Sequence, residues 1–433
     1  MTPTKSQLDA INEFEQWLST DEKYFTLRAG AGRGKSWTTL NGFIPTLNNK
    51  GKPFDIVATT KQACDSLISI LGSGSTLNPM TLHSYLGCIP TTKDIVWGNP
   101  KQFRKSKYFL KNPRVSQDSG ILLVDEAFRV EQELLDIIDY LMPNKRIVWI
   151  GDPFQTPPIG FNKSPVEDLT SRTVTLYESP RFKRFSPLAD LVNNLLMAVQ
   201  FEEKNYLDLL PSENTEGINL VPKKHLQIEL NKRLVSGNAI DYREMCILSA
   251  TRKKTDDYNN YCVKVRAKVG LPIIHQSENI VIDTAIAEDR NPTLYWLRTN
   301  NKLPVLKATK QLHDDAVSFI KARAVGHIST LLKVATPLCV EGNCIIYLLT
   351  GDGGKGLSGS QMKNLWAIRR ELGINFIFIR LSIAKTIHLA QGITSPDVYI
   401  DMESVARWHD DDMKRRLYYT GISRCSSNLY LMR

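Results

Sequence analysis

The sequence predicts an α/β protein with two doubly wound domains, each built on a parallel sheet. Three observations lead there. Short apolar runs rich in β-branched residues recur along the chain, at Tyr24 to Leu27, Phe54 to Ala58, Ile121 to Val124, Ile147 to Ile150, Met245 to Leu248, Phe376 to Leu381 and Val398 to Ile400. Such runs suit strands covered on both faces. Helical patterns lie between several of them, including Gln62 to Leu71 and Glu131 to Leu141, and this alternation marks doubly wound folds. At 433 residues the chain exceeds what one hydrophobic core serves, so a boundary between two domains is expected near residues 185 to 190.

After the first run comes Ala29-Gly30-Ala31-Gly32-Arg33-Gly34-Lys35-Ser36, which opens a helix-compatible stretch. Small residues let consecutive backbone N–H groups close around phosphates, the Lys35 ammonium reaches the β- and γ-phosphates, and the Ser36 hydroxyl holds Mg²⁺ at the helix start. ATP and Mg²⁺ are the expected ligands, although the first glycine of the usual pattern is Ala29 here. Alone, the string also fits a glycine-rich turn.

Residues 90 to 117 interrupt the alternation. Lys93, Lys101, Arg104, Lys105, Lys107, Lys111 and Arg114 face one acid, Asp94, with Trp97, Phe103, Tyr108 and Phe109 interleaved. Basic residues mixed with aromatics suit phosphate pairing and base stacking on single strands; a solvated surface insertion has the same composition. The run Ile121 to Val124 then leads into Asp125 and Glu126, at a strand's C-terminal end, where open α/β sheets place ligands. In a nucleotide hydrolase Asp125 anchors Mg²⁺ through water and Glu126 orients or deprotonates the attacking water. The next run ends in Gly151-Asp152-Pro153-Phe154-Gln155-Thr156, which fits a γ-phosphate sensor or a plain proline-rich turn.

A second interruption, roughly 268 to 365, has short β-like pieces and the stretch Gly351-Asp352-Gly353-Gly354-Lys355-Gly356-Leu357-Ser358-Gly359. Gly356 stands where a phosphate loop needs Ser or Thr, so a flexible connector is expected rather than a second nucleotide site. His409-Asp410-Asp411-Asp412 is read as a charged helix start, not a metal site.

Composition narrows the setting. The balance of 55 Lys and Arg against 45 Asp and Glu gives a net charge of +10, which favours polyanionic partners. Seven cysteines without a C-x-x-C pair suggest neither a disulfide framework nor a zinc site. The first residues lack an apolar signal core, and no stretch approaches the ~18 apolar residues that span a bilayer. A cytoplasmic protein with no membrane partner is expected.

Taken together, these segments resemble superfamily 1 DNA helicases, most closely the RecD-like group that includes the Dda helicases of tailed bacteriophages. Gln7 matches the adenine-recognising glutamine. Thr59 and Thr60, in Ala58-Thr59-Thr60-Lys61-Gln62-Ala63, match a motif that contacts single-stranded DNA, as do Thr81 and His83 in Thr81-Leu82-His83-Ser84. Asp125-Glu126 matches the acidic motif, Gly151-Asp152 with Gln155 the γ-phosphate sensor, and Arg181 in Glu178-Ser179-Pro180-Arg181 a phosphate-contacting arginine. Ser249-Ala250-Thr251-Arg252 with Asn259 resembles a strand-to-helix segment, from which Thr251 contacts DNA. The stretch from Thr386 to Thr394 resembles the motif that couples DNA to ATP, with His388 and Thr394 toward DNA and Gln391 and Gly392 toward nucleotide. Tyr418-Tyr419-Thr420-Gly421-Ile422-Ser423-Arg424 resembles the one that supplies an arginine finger, Arg424.

The resemblance implies two RecA-like P-loop domains, each with a small insertion. Residues 1–187 form the first, with the insertion at about 88–117 carrying a strand-separating pin. Residues 188–267 and 366–433 form the second, and 268–365 the inserted β-rich domain. Trp97 is the candidate wedge residue, or else part of a small core. Tyr295-Trp296 in the second insertion faces either DNA or its own core. The implied activity is ATP-dependent, 5′ to 3′ translocation on single-stranded DNA with duplex unwinding, in phage replication or recombination. Implied partners are single-stranded DNA, duplex junctions and a single-strand-binding or replication protein, and the implied state is a monomer.

Four departures qualify the match, one being that the family's usual Asn-Gly segment early in the second insertion is not evident. Arg33 replaces the usual Thr or Ser inside the phosphate loop, where it contacts phosphate, swings outward or perturbs the cradle. Phe128-Arg129 stands where a small polar residue is usual, and Leu389 replaces a frequent lysine. Two other readings keep the motifs: an RNA helicase or non-unwinding translocase, and a nucleic-acid binding module switched by ATP with weak turnover.

Overall fold

The computed structural model describes residues 2–71, 77, 79–97, 104–110, 113–115, 120–158, 160–178, 186–235, 244–269, 280–282, 335–340, 343–349, 375–381 and 383–433. The strands, in chain order, are β1 (Tyr24–Ala29), β2 (Phe54–Ala58), β3 (Met80–Thr81), β4 (Cys88–Trp97), β5 (Arg104–Leu110), β6 (Ile121–Asp125), β7 (Arg146–Gly151), β8 (Arg172–Leu176), β9 (Ile218–Val221), β10 (Met245–Ser249), β11 (Ile280–Ile282), β12 (Ala335–Val340), β13 (Asn343–Leu349), β14 (Asn375–Leu381), β15 (Ala384–Thr386), β16 (Ser395–Asp401) and β17 (Cys425–Met432). The α-helices are α1 (Lys5–Trp17), α2 (Lys35–Thr38), α3 (Ile44–Asn49), α4 (Lys61–Leu71), α5 (Leu82–Leu86), α6 (Gln132–Leu141), α7 (Pro187–Gln200), α8 (Lys223–Val235), α9 (Arg252–Lys268), α10 (Met402–Ala406) and α11 (Asp411–Ile422).

By contact density the chain divides into two units. One comprises Met1–Asn219, Ile387–Thr394 and Val405–Leu429; the other Leu220–Thr386, Ser395–Ser404 and Tyr430–Arg433. In the first unit six strands form a parallel sheet in the order β3-β2-β6-β7-β1-β8. Successive side chains of a strand point to opposite faces, so the sheet builds two cores. Ile121, Leu123, Val148 and Ile150 join the aromatic cluster of Phe14, Trp17, Phe25 and Phe43, in which the Phe14 and Phe43 rings stack at 4.2 Å. Leu122, Val124, Ile147 and Trp149 pack with Leu134, Ile137 and Ile138 of α6 on the other face. Burial on both faces accounts for the continuous apolar runs in the sequence.

The insertion between β3 and β6 is an antiparallel hairpin of β4 and β5, with a register shift between Pro90 and Ile95. Lys101, Phe103 and Lys111 lie outside the described residues, and of the other hairpin side chains named above only the backbone is described.

In the second unit β10 pairs in parallel with β15 and β16. Leu226, Leu230 and Leu234, spaced by single helical turns on α8, form its core with Met245, Ile247 and Tyr399. A separate four-stranded sheet has the order β11-β14-β13-β12. The run Phe376 to Leu381, expected in a domain's central parallel sheet, lies here as β14, parallel to β13 and antiparallel to β11. An apolar run meets the needs of either sheet, and nothing local in it encodes its neighbour. Tyr295-Trp296 and the glycine-rich stretch 351–359 lie outside the described residues. The acidic run at 409–412 starts α11, with Asp410 as N-cap accepting from the Met413 N–H at 2.8 Å.

Candidate active site

Four loops of the first unit leave the C-terminal edge of its parallel sheet side by side. The register aligns Ala58 with Asp125, Asp125 with Ile150, and Gly151 with Arg28, so the segments after β2, β6, β7 and β1 emerge together. The loop after β1 turns tightly through Gly32 (φ 75°) and Gly34 (φ 83°), left-handed conformations that suit glycine. Gly34 caps α2, and the helical path continues through a π-helical turn at Thr39–Phe43 into α3. The Lys35 ammonium folds back and donates to the Ala29 carbonyl at 3.1 Å.

At the end of β6, Glu126 adopts φ 53° and ψ 40°, a left-handed conformation costing about 1–3 kcal/mol for a non-glycine residue. Its backbone is held at both groups. The Glu126 N–H donates to Asp125 Oδ1 at 2.9 Å, and the Glu126 carbonyl accepts from Thr59 Oγ1 at 3.0 Å and the Arg129 N–H at 3.1 Å. Burial and the neighbouring Glu126 raise the Asp125 carboxyl above the usual carboxylate range, opposed by Lys35 and the Glu126 amide. At the end of β7, a Cβ on Gly151 would lie 2.7 Å from the Phe128 ring and 3.1 Å from the Ala127 nitrogen. Glycine there lets the sensor turn pass close to the acidic segment.

The sensor turn is wired by hydrogen bonds. Asp152 Oδ1 accepts from the Phe154 N–H at 3.1 Å and Oδ2 from Gln155 Nε2 at 2.9 Å. Tyr419 donates its hydroxyl to Asp152 Oδ2 at 2.7 Å and accepts from the Ala31 N–H at 2.9 Å. Gln391 Nε2 donates to the Thr156 carbonyl at 2.9 Å and to Thr156 Oγ1 at 2.7 Å. Arg424 is buried and held by donation to the carbonyls of Thr420 and Ile393 and to Ser423 Oγ. Burial lowers its guanidinium pKa, and Glu126, Tyr419 and Asp152 oppose that shift.

These elements enclose a cavity of ≈ 320 Å³. Of the residues singled out in the sequence, Gly30, Ala31, Gly32, Arg33, Gly34, Lys35, Ser36, Asp125, Glu126, Gln155, Gly392, Thr394 and Arg424 line it. The Arg33 guanidinium is held at the cavity wall, donating to the Leu176 carbonyl at 3.3 Å and to Asn193 Oδ1 at 3.5 Å. Gln7 is absent from the lining and serves the α1 capping box, its Oε1 accepting from the Thr4 N–H at 2.8 Å.

The expected DNA contacts are dispersed. Thr60 and Thr81 cap α4 and α5 by accepting from the Ala63 and Ser84 N–H groups, and His83 lies half-buried on α5. His388 is half-buried in the turn Ile387–Ala390, its ring 6.2 Å from that of Trp408. Burial and the nearby Arg129 push it down to about 4. Thr251 lies in the second unit, where it accepts from the Lys254 N–H at 3.4 Å ahead of α9. The backbone of Trp97 ends β4; its side chain, like all of Arg181, lies outside the described residues.

Sequence reasoning missed part of the wall. Trp37 and, on α4, Ala63, Ser66 and Ile70 also line the cavity; their spacing by about one helical turn is the signal for a shared face. Tyr419 lies inside the motif Tyr418–Arg424, and nothing in the sequence around it signals its bonds to Asp152 and Ala31.

A family model described as an AAA domain matches residues 15–161, a segment that contains the phosphate loop and the sensor turn. The uncharacterized protein R530 of Acanthamoeba polyphaga mimivirus is 25% identical over 311 residues, which are 65% of this chain and 58% of that protein. This chain thus spans little more than half the length of that relative. A Pif1 helicase structure described as the structural basis for DNA unwinding at forked dsDNA by two coordinating Pif1 helicases superposes with a TM-score of 0.51 at 16% identity, over 100% of this chain and 92% of that one. Bacteroides Pif1 bound to ssDNA gives 0.49 at 17% identity over the same shares. Among the described residues no helix is long and apolar enough to cross a membrane. The chain has a P-loop α/β fold with parallel sheets, and it shares with the forked-DNA Pif1 structure the architecture of two RecA-like domains.

Proposed function

We propose that this chain is an ATP-dependent DNA helicase of superfamily 1, which hydrolyses ATP while translocating on single-stranded DNA and separates the duplex ahead of it. The observation that carries this reading is one cavity gathering Lys35, Ser36, Asp125, Glu126, Gln155 and Arg424 at the C-terminal edge of a parallel sheet. Lys35 and Arg424 offer positive charge to a triphosphate from two sides of the cavity, Arg181 being the further candidate. Glu126 accepts the proton of the attacking water at a carboxylate oxygen, and Gln155 Oε1 orients the same water. The Ser36 hydroxyl and the Asp125 carboxylate, the latter through water, are hard oxygen donors that would hold Mg²⁺, and the ion would supply charge neutralisation to the phosphates. We also assign Gln7, Gln391 and Gly392 to nucleotide binding.

For DNA, support comes from the net charge of +10, from the unwinding described for the Pif1 structure of like fold, and from the hairpin of β4 and β5 inserted in the first RecA-like domain. We assign Trp97 to the strand-separating pin and Thr59, Thr60, Thr81, His83, Thr251, His388 and Thr394 to the single-strand track. The RecD-like, Dda-like motif set supports 5′ to 3′ movement and a role in phage replication or recombination. On this reading the protein works as a cytoplasmic monomer beside a single-strand-binding or replication protein. Its domain limits are 1–187, 188–267 with 366–433, and 268–365. Strand separation on duplexes with a 5′ or a 3′ single-stranded tail tests the proposal. ATP-dependent opening of the 5′-tailed substrate is expected; opening of neither, or of the 3′-tailed one alone, contradicts it.

A further inference from the structure

We propose that Tyr419 is a positioning residue for ATP turnover, whose hydroxyl holds Asp152, and through it the Gln155 carboxamide, so that Gln155 presents an acceptor to the attacking water. This rests on the reading of the cavity as an ATP hydrolysis site.

The spacing of Arg416, Tyr419 and Thr420 places all three on one face of α11, and each engages the sensor turn. Arg416 Nη1 donates to the carbonyls of Pro153 at 2.8 Å and Gln155 at 3.3 Å. Thr420 Oγ1 accepts from the Thr156 N–H at 3.1 Å. Between them, the Tyr419 hydroxyl bonds the sensor turn and the phosphate loop at once, donating to Asp152 Oδ2 and accepting from the Ala31 N–H. The loop comes so close that a Cβ on Gly30 would lie 3.0 Å from Tyr419 Oη. Burial raises the phenol pKa well above its ordinary value, so its proton stays in the bond to Asp152.

A carboxylate only accepts, so Asp152 must receive the amide end of Gln155. Gln155 Oε1 is then the remaining end of a side chain that lines the cavity, buried and, among the described residues, without a hydrogen-bond partner. The order Ala31 N–H, Tyr419 O–H, Asp152, Gln155 thus ties the phosphate loop to the orientation of the Gln155 carboxamide. Arg416 and Thr420 hold backbone atoms of the turn and leave that orientation open.

The test is steady-state ATP hydrolysis with saturating single-stranded DNA for the parent, Tyr419→Phe, Asp152→Asn and the double variant, with Lys35→Ala as control. Tyr419→Phe is expected to lower kcat about tenfold, the loss of one hydrogen bond to a charged group. Its KM for ATP should stay within twofold of the parent, which a disordered site would not retain. The double variant should be no slower than Asp152→Asn alone, because both act through one unit. A kcat for Tyr419→Phe within twofold of the parent, or losses that multiply in the double variant, overturns the proposal. A parent without turnover, or a Lys35→Ala variant as active as the parent, instead overturns the underlying ATP-site reading, and this proposal with it.

Discussion

Glu126 has its backbone in a conformation that few acids adopt, with N–H and carbonyl both bonded to neighbours and its side chain on the cavity wall. That over-determination fits a group whose direction matters more than its local comfort. Glu126→Gln should keep ATP and DNA binding while kcat falls at least ~10²-fold. Equilibrium binding beside single-turnover hydrolysis checks this, and unchanged turnover would remove Glu126 from the chemistry. His388 makes a pH prediction. Its pKa lies at about 4 in the folded chain, against about 6.5 unfolded, so the folded state resists a proton that the unfolded state accepts. Stability is then unaffected above about pH 6.5 and falls as the pH drops from there toward 4, by about 2 kcal/mol at pH 5. His388→Gln should show a correspondingly smaller drop between pH 7 and pH 5 in denaturant titrations. At the residue scale the sequence was legible where chemistry is contiguous, as in the phosphate loop and Asp125-Glu126. The link of Tyr419 to Ala31 was not, because 388 positions separate the partners. Nor was the anchoring of Arg33, which depends on a carbonyl of β8 and an amide of α7.

Elements were legible by period. Strands buried on both faces announced themselves as apolar runs, and α4 and α6 lie within a residue of their expected ends. The edge strand β8, in which three of five residues are polar and Leu176 alone is buried, carried no such signal, and β14 shows that an apolar run does not say which sheet it joins. The β4 and β5 hairpin carries the element-scale prediction. If Trp97 caps the last base pair of the duplex, Trp97→Ala should lower unwinding several-fold more than it lowers ATPase on single strands, since base stacking is worth about 1–3 kcal/mol. Equal losses in the two assays would mark Trp97 as a packing residue.

For the whole molecule, the net charge of +10 bears on encounter and affinity rather than on fold. If the DNA track pairs phosphates, log K for single-stranded DNA should fall linearly with log[salt], by about 0.7 per phosphate neutralised. A fluorescence-anisotropy titration between low and moderate salt reads that slope, and a flat response argues against a phosphate-tracking groove. His388, neutral when folded, should add nothing to it. The central claim is that the cavity at the sheet edge turns over ATP in response to DNA. Steady-state ATP hydrolysis by the purified protein, without nucleic acid, with single-stranded DNA and with single-stranded RNA, tests it most directly. Strong stimulation by DNA, exceeding that by RNA and lost in Lys35→Ala, is the predicted result; tight DNA binding with no stimulated turnover would contradict the motor and leave an ATP-switched binding module.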